Sequence, residues 1–388
     1  MDRIYLDNAA TSWPKPNAVY EAVDRYQREI GASAGRGAYQ SAQQAQRIVT
    51  ETRSACARLL GIADRRQLIF TSNGTAALNL AIHGLLGEGD HVVTTVCEHN
   101  SVLRPLDMQS KQNGVQVTYV GCDSAGFVKG AAIAEAILPN TRLVAVTHAS
   151  NVTGAIQPIA EISRIVHEAG AYLLVDAAQT AGCLTIDIDA LGIDLFACGG
   201  HKGLLGPLGT GLLYIRPGLE KQLRAISQGG TGTDSLVDSQ PHRLPEKFEA
   251  GSLNLPALAG LGAAAQYLQQ HSIKAVQDHL RQLTCQLLEG LAAIGAVTLF
   301  GPPADQPRVG VVSCAIDGYD PQEFAAALDA SCGVECRAGL QCAPRMHVAL
   351  GTDQSGGLVR FSPGWATTAA EIDQTVAAIV ALAAMPVR

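Results

Sequence analysis

Nowhere does the 388-residue chain stay apolar for the ~20 positions that crossing a bilayer takes, so a membrane-spanning protein is not expected. Positive charge is also scarce. The chain has 28 Lys and Arg against 35 Asp and Glu, a net charge of −7, which argues against a general nucleic-acid binder. The stretch from Met1 to Asp7 has no apolar core of the signal-peptide kind. Ten cysteines are scattered, mostly in apolar runs. A reducing cytoplasm is expected rather than a disulfide framework. Repeats, low-complexity segments and long charge runs are lacking too. What remains is a globular composition, 47% hydrophobic and 16% charged, in a chain long enough for two domains.

Apolar spacing predicts helices over 17–30, 43–60 and 76–86, with a Gly/Ala/Ser-rich loop containing Arg36 between the first two. From residue 68 onward, short apolar runs at 68–71, 91–96, 115–120, 143–147, 172–175, 195–198 and 211–215 read as strands. Helical patterns at 101–113, 130–138 and 159–169 alternate with them. Such alternation means βα units and a mostly parallel sheet with helices on both faces. Residues 229–254 read as a long, polar, functional connection. Beyond it, helices over 255–270, 273–294, 321–330 and 368–384 and strands at 310–316 and 358–361 suggest a second, α+β unit.

Two segments carry the chemistry. Ala171-Tyr-Leu-Leu-Val-Asp176-Ala-Ala-Gln179 ends an apolar run on a carboxylate. Asp194-Leu-Phe-Ala-Cys-Gly-Gly-His201-Lys202 places a lysine after another, inside a glycine-rich loop. A lysine to anchor an aldehyde and an aspartate to protonate a pyridine are the pair that pyridoxal 5'-phosphate (PLP) requires. Both sit near strand ends, where ligands bind in open parallel sheets. Taken alone, Lys202 could be a surface lysine and Asp176 a helix cap.

The ordered motifs resemble those of the cysteine desulfurases, class V PLP enzymes of fold type I. The likeness runs from Tyr5-Leu-Asp-Asn-Ala-Ala-Thr11 to Val359-Arg360-Phe-Ser. It implies a large PLP-binding α/β domain with a seven-stranded, mostly parallel sheet over 15–250. A smaller α+β domain over 251–388 is joined by the N-terminal segment 1–14. It also implies a homodimer. By this resemblance Lys202 is the cofactor-anchoring lysine and the base for the substrate Cα proton. Asp176 pairs with the pyridinium and Gln179 with the phenolic oxygen. His99 stacks on the ring and shuttles protons, as an imidazole titrating near neutral pH can. Asn151 lies near the phenolic oxygen and the substrate carboxylate. The phosphate falls to Gly74 and Thr75 at a helix start, to His201, and to Ser252 from the other subunit. The family's Gly-Thr-Thr reads Asn73-Gly74-Thr75 here, and its hydroxyl residue is Gly199.

Sulfur chemistry rests on Arg337-Ala-Gly-Leu-Gln-Cys342-Ala-Pro344, which resembles the family's short Arg-x-Gly-x-x-Cys loop. There Cys342 takes the substrate sulfur as a persulfide. Two histidines common before that cysteine are Leu340 and Gln341 in this chain. Arg360, with Arg337 as second candidate, would hold the substrate carboxylate with two parallel bonds. Other readings of the same residues are a buried structural thiol at Cys342, or a metal site from Cys332, Cys336 and Cys342. The latter, at C-x3-C-x5-C, has no matching fourth ligand, so no metal is expected. The expected reaction is L-cysteine to L-alanine, with a sulfur-acceptor protein serving iron–sulfur cluster or thio-cofactor assembly. Selenocysteine lyase, another class V reaction (aminotransferase or epimerase) and a non-catalytic PLP-fold scaffold are the alternatives.

Overall fold

The computed structural model describes residues 3–35, 37–233 and 236–384; Arg36 lies outside them. In chain order the first half runs β1 (Ile4–Tyr5), α1 (Asn17–Arg25), α2 (Gln40–Leu59), β2 (Leu68–Thr71), α3 (Gly74–Leu85), β3 (His91–Thr95), α4 (Asn100–Asn113), β4 (Gln116–Val120), α5 (Gly130–Ala136), β5 (Thr141–Thr147), α6 (Ile159–Glu168), β6 (Tyr172–Asp176), β7 (Leu195–Gly199) and β8 (Gly211–Ile215). The second half runs α7 (Leu255–His271), α8 (Ile273–Ala292), β9 (Val297–Phe300), β10 (Val312–Ile316), α9 (Pro321–Cys332), β11 (Val334–Glu335), β12 (Arg337–Gly339), α10 (Pro344–Leu350), β13 (Leu358–Phe361) and α11 (Ala369–Ala383).

The large sheet has seven strands in the order β2-β8-β7-β6-β5-β3-β4. Strand β8 runs antiparallel to both neighbours and the other strands run parallel to one another, as the alternation predicts. Strands β7 and β8 are continuous apolar runs because both of their faces are covered. Their side chains alternate between two cores. Phe196 and Cys198 join Val175, Leu212 and Tyr214 on one side. Leu195 and Ala197 join Leu174, Leu213 and Ile215 on the other. Helix α7 lies against α1 and α2, with Leu258 and Leu261 in the same core as Val19 and Val49.

A four-stranded sheet, β12-β13-β10-β9, carries the C-terminal part. Its core gathers Leu287, Val312, Phe324, Phe361 and Ile379 together with Ile4 and Leu6 from the N-terminal segment. That segment is tied in by the parallel pair β1–β11 and a bridge from Asp7 to Ser362. The short strands β1, β9, β11 and β12 and the helix α10 escape the sequence reading. They span two to seven residues, and the four strands form by pairing with partners elsewhere in the chain, which no local pattern reports.

Candidate active site

The parallel arrangement brings the carboxyl ends of β2, β3, β5, β6 and β7 to one edge. Strand β4 lies on one side of β3 and β5 on the other, so the connections diverge there. Such a switch point opens a crevice beyond the strand ends. A cavity of about 220 Å³ fills it, lined by Thr75, His99, Asn151, Asp176, Gln179 and Lys202 among others. Benzene fits a cavity of roughly 150 Å³, so a substituted six-membered ring fits here.

Asp176 closes β6 with its carboxylate buried, and Oδ1 accepts the Ala178 amide at 2.9 Å. Burial raises its pKa, partly offset by that bond and by Lys202. A cation placed against it, such as a protonated ring nitrogen, would restore its charge. Burial pulls the Lys202 amine down to about 8, against the pull of Asp176. Gln179 donates from Nε2 to the Ala9 carbonyl at 3.0 Å, which ties the N-terminal segment to the cavity wall and leaves Oε1 for a ligand.

His99 caps α4, and its Nδ1 accepts the Ser101 amide at 3.0 Å. The ring proton therefore sits on Nε2. Burial first, then Lys202, pushes the imidazole down to about 4. The expectation that it titrates near neutrality does not hold: it is neutral there, with a single proton to give. The Ser101 hydroxyl lies 2.9 Å from Nδ1 and 2.8 Å from the Thr75 hydroxyl, which links the ring to the start of α3.

At that start, Asn73 accepts the Ala76 amide at 2.8 Å. A Cβ on Gly74 would stand 3.0 Å from the Gly199 amide nitrogen, and one on Gly199 would stand 3.2 Å from the His201 ring. The imidazole of His201 thus packs closely against Gly199. Its Nδ1 is buried without a partner, and burial pushes its pKa to about 4. Free helix amides, a hydroxyl and an orphaned ring nitrogen suit a phosphate, and the acid–amine pair suits the rest of PLP. The residues present fit that cofactor.

Cys342 is an exposed, free thiol, not a buried structural one. Its carbonyl accepts the Asn100 amide at 2.8 Å, and the preceding carbonyl of Gln341 accepts Asn151 Nδ2 at 2.6 Å. The cysteine loop is therefore pinned to the cavity rim. An ionised Cys342 would favour the charged forms of Lys202 and Arg360. Arg360 on β13 is buried. It donates from Nη2 to Asp7 Oδ1 at 2.7 Å and from Nη1 to the Asn151 carbonyl at 3.2 Å. Its Nε is buried and unpartnered.

Arg337 stands opposite Arg360 in the strand register, but it is exposed and makes no ion pair among the described residues. Ser252 is exposed and lies outside this chain's own cavity, between surface grooves of about 960 and 600 Å³. Its loop is set by Glu249, whose carboxylate takes both ends of the Arg53 guanidinium at 2.7 Å and the Phe70 amide at 2.6 Å.

Sequence reasoning missed three features. Asp7, in the N-terminal motif, pairs with Arg360. Glu98, just before His99, is wholly buried. Its Oε1 accepts the Thr95 hydroxyl at 2.7 Å and the Thr147 amide at 3.0 Å, and burial raises its pKa to about 8. His347 is also fully buried and reaches Gln341. Charge or imidazole next to a motif is a sequence signal, but burial gives it meaning.

Comparison with known proteins shows the family and the fold. The family model described as Aminotransferase class-V matches residues 4–375. A probable cysteine desulfurase of Methanothermobacter thermautotrophicus is 38% identical over 96% of this chain and 92% of its own. A cysteine desulfurase of Haloferax volcanii is 33% identical over 91% and 83%. Among solved structures, the apo cysteine desulfurase of Thermococcus onnurineus NA1 superposes with a TM-score of 0.92 at 32% identity, covering 98% of this chain and 94% of that one. The cysteine desulfurase CsdA of Escherichia coli, in an S-sulfonic acid form, gives 0.87 at 28%, covering 97% and 93%.

Proposed function

The chain belongs to the class V aminotransferase family, among its cysteine desulfurases, and from that membership we propose that it converts L-cysteine to L-alanine, taking the sulfur as a persulfide on Cys342. The observation that carries this reading is the position of that exposed thiol. Its loop hydrogen-bonds through two carbonyls to Asn100 and Asn151 at the rim of the Lys202–Asp176 cavity.

Lys202 would anchor the cofactor aldehyde, Asp176 would hold the ring nitrogen and Gln179 would face the phenolic oxygen. Gly74, Thr75 and His201 would bind the phosphate, and His99 would cover the ring. PLP, when bound, supplies a sink for the electron pair left at the substrate Cα. Arg360 orients the substrate through its carboxylate, with Asn151 beside it and Arg337 further out. Lys202, freed by the substrate amine and pulled down to about 8, removes the Cα proton. The Cys342 thiolate attacks the substrate sulfur. An S–S bond forms, the Cβ–S bond breaks with its electrons staying on the three-carbon fragment, and that fragment takes up protons. Cysteine plus enzyme thiol thus balances to alanine plus enzyme persulfide without an outside oxidant. Lys202 and the Nε2 proton of His99 are the nearby donors.

In this reading residues 15–250 hold the cofactor. Residues 251–388, with 1–14, supply Cys342 and Arg360. The exposed Ser252 beside open grooves supports a homodimer in which it reaches the partner's phosphate. A solvent-facing Cys342 supports transfer to an acceptor protein for iron–sulfur or thio-cofactor assembly. Ten free thiols support a reducing, cytoplasmic setting, and no helix among the described residues is long and apolar enough to cross a membrane. The test is to incubate the PLP-loaded protein with L-cysteine without reductant, and to measure alanine and the mass of the Cys342 peptide. Alanine equimolar with sites and one added sulfur support the reading. Alanine at full rate from Cys342→Ala refutes the persulfide step. Turnover confined to selenocysteine moves the substrate.

A further inference from the structure

The tip of the cysteine loop is built on two consecutive left-handed residues, Gln341 at φ 41° and Cys342 at φ 59°. Neither is glycine, so the surroundings must hold them there. The carbonyl bonds to Asn151 and Asn100 hold one side. The other side is held by side chains.

Gln341 is buried. Nε2 donates to the Leu358 carbonyl at 2.7 Å, which leaves Oε1 facing His347 Nε2 at 2.7 Å. An amide oxygen only accepts, so His347 must carry its proton on Nε2. His347 is fully buried and carries no charge at neutral pH, since burial pushes it down to about 4. Its Nδ1 is therefore bare and accepts the Thr352 hydroxyl at 2.8 Å. Every bond in this chain has one direction: Thr352 to His347, His347 to Gln341, Gln341 to Leu358. Leu358 begins β13, the strand that carries Arg360.

We propose that Gln341, His347 and Thr352 form a neutral, one-directional hydrogen-bond relay that positions Cys342 over the substrate sulfur and locks the cysteine loop to the strand bearing Arg360. The proposal rests on the persulfide role of Cys342 given above. These are positioning residues; none touches the reacting atoms. The direction of the relay makes it sensitive to its far end. Without the Thr352 hydroxyl, the buried Nδ1 of His347 has no donor and the ring loses the contact that fixes its orientation. The Nε2–H bond to Gln341 is then no longer held in line, and the loop loses its inner support.

The experiment uses the PLP-loaded enzyme and L-cysteine. Cofactor absorbance reads cysteine binding, and rapid quench reads the alanine formed in the first turnover. For Thr352→Val the binding constant is expected to stay within about twofold, while first-turnover alanine slows by about ten- to a hundredfold, the size of a misplaced reacting group. Thr352→Ser, which restores the donor, returns the rate to within about threefold of wild type. Should Thr352→Val not fold, Thr352→Ala carries the same test. First-turnover rates at the wild-type level, or binding lost in step with rate, overturn the relay, as does failure of the serine rescue. Cys342→Ala separates the two levels. If it is inactive while Thr352→Val runs at full speed, the relay alone fails. If it turns over at full rate, the reading beneath it fails as well.

Discussion

A buried carboxyl behind the cofactor pocket offers a measurable consequence of the fold. Glu98 has no solvent exposure. Its Oε1 takes two hydrogen bonds, and its Oε2 is buried without a partner. Burial, with the charge of Asp176 adding to it, moves its pKa from the ordinary 4.5 to about 8. It is thus a neutral acid at neutral pH, which leaves the negative charge beside the cofactor ring to Asp176. In the unfolded chain it ionises near 4.5, so between 4.5 and 8 the native state holds one more proton. The stability it contributes is fully present below 4.5 and drains away as pH rises to 8. At 1.36 kcal/mol per pH unit the full span is worth about 5 kcal/mol, an upper bound that local water entry reduces. Glu98→Gln keeps the acceptor oxygen and cannot ionise. Urea unfolding of wild type and variant at pH 5, 6, 7 and 8 tests this. The variant's advantage should grow by about 1 kcal/mol per pH unit. A difference constant to within about 0.5 kcal/mol over that range would mean that Glu98 is ionised in the fold, and would refute the reasoning.

Three more expectations concern the site. Arg360→Lys loses the planar pair of donors and with it one charge-assisted bond, about 1.5–3 kcal/mol, so kcat/KM for cysteine should fall about 10- to 100-fold; a fall under about threefold in folded protein counts against a carboxylate contact. Proton removal by Lys202 needs the neutral amine, so the first-turnover rate should climb with pH and level off above about 8; a flat profile from pH 6 to 9 removes Lys202 as the base. Asn100→Pro deletes the amide that holds the Cys342 carbonyl at a position where helices accept proline; circular dichroism should be unchanged while persulfide formation slows about fivefold, the worth of one bond.

The sequence by itself determined the strands of the large sheet, because runs such as Leu195–Gly199 have no polar face to expose. It also determined that Asp176 and Lys202 stand at strand ends, since an apolar run that stops on a charge marks its own limit. The family motifs marked Cys342 and Arg360 as well. Only the tertiary structure decided what those groups are able to do. That His99 is neutral follows from burial beside Lys202. That Arg360 is neutralised follows from a partner, Asp7, 353 positions away in the chain. Glu98 is an acid and not a base because solvent is shut out. Gln341 reads as a departure in the sequence, yet in the fold it links a buried histidine to the cysteine loop. Local pattern reports which residues share an element. Proton positions and charge depend on which distant groups exclude water around them, and no window along the chain contains that.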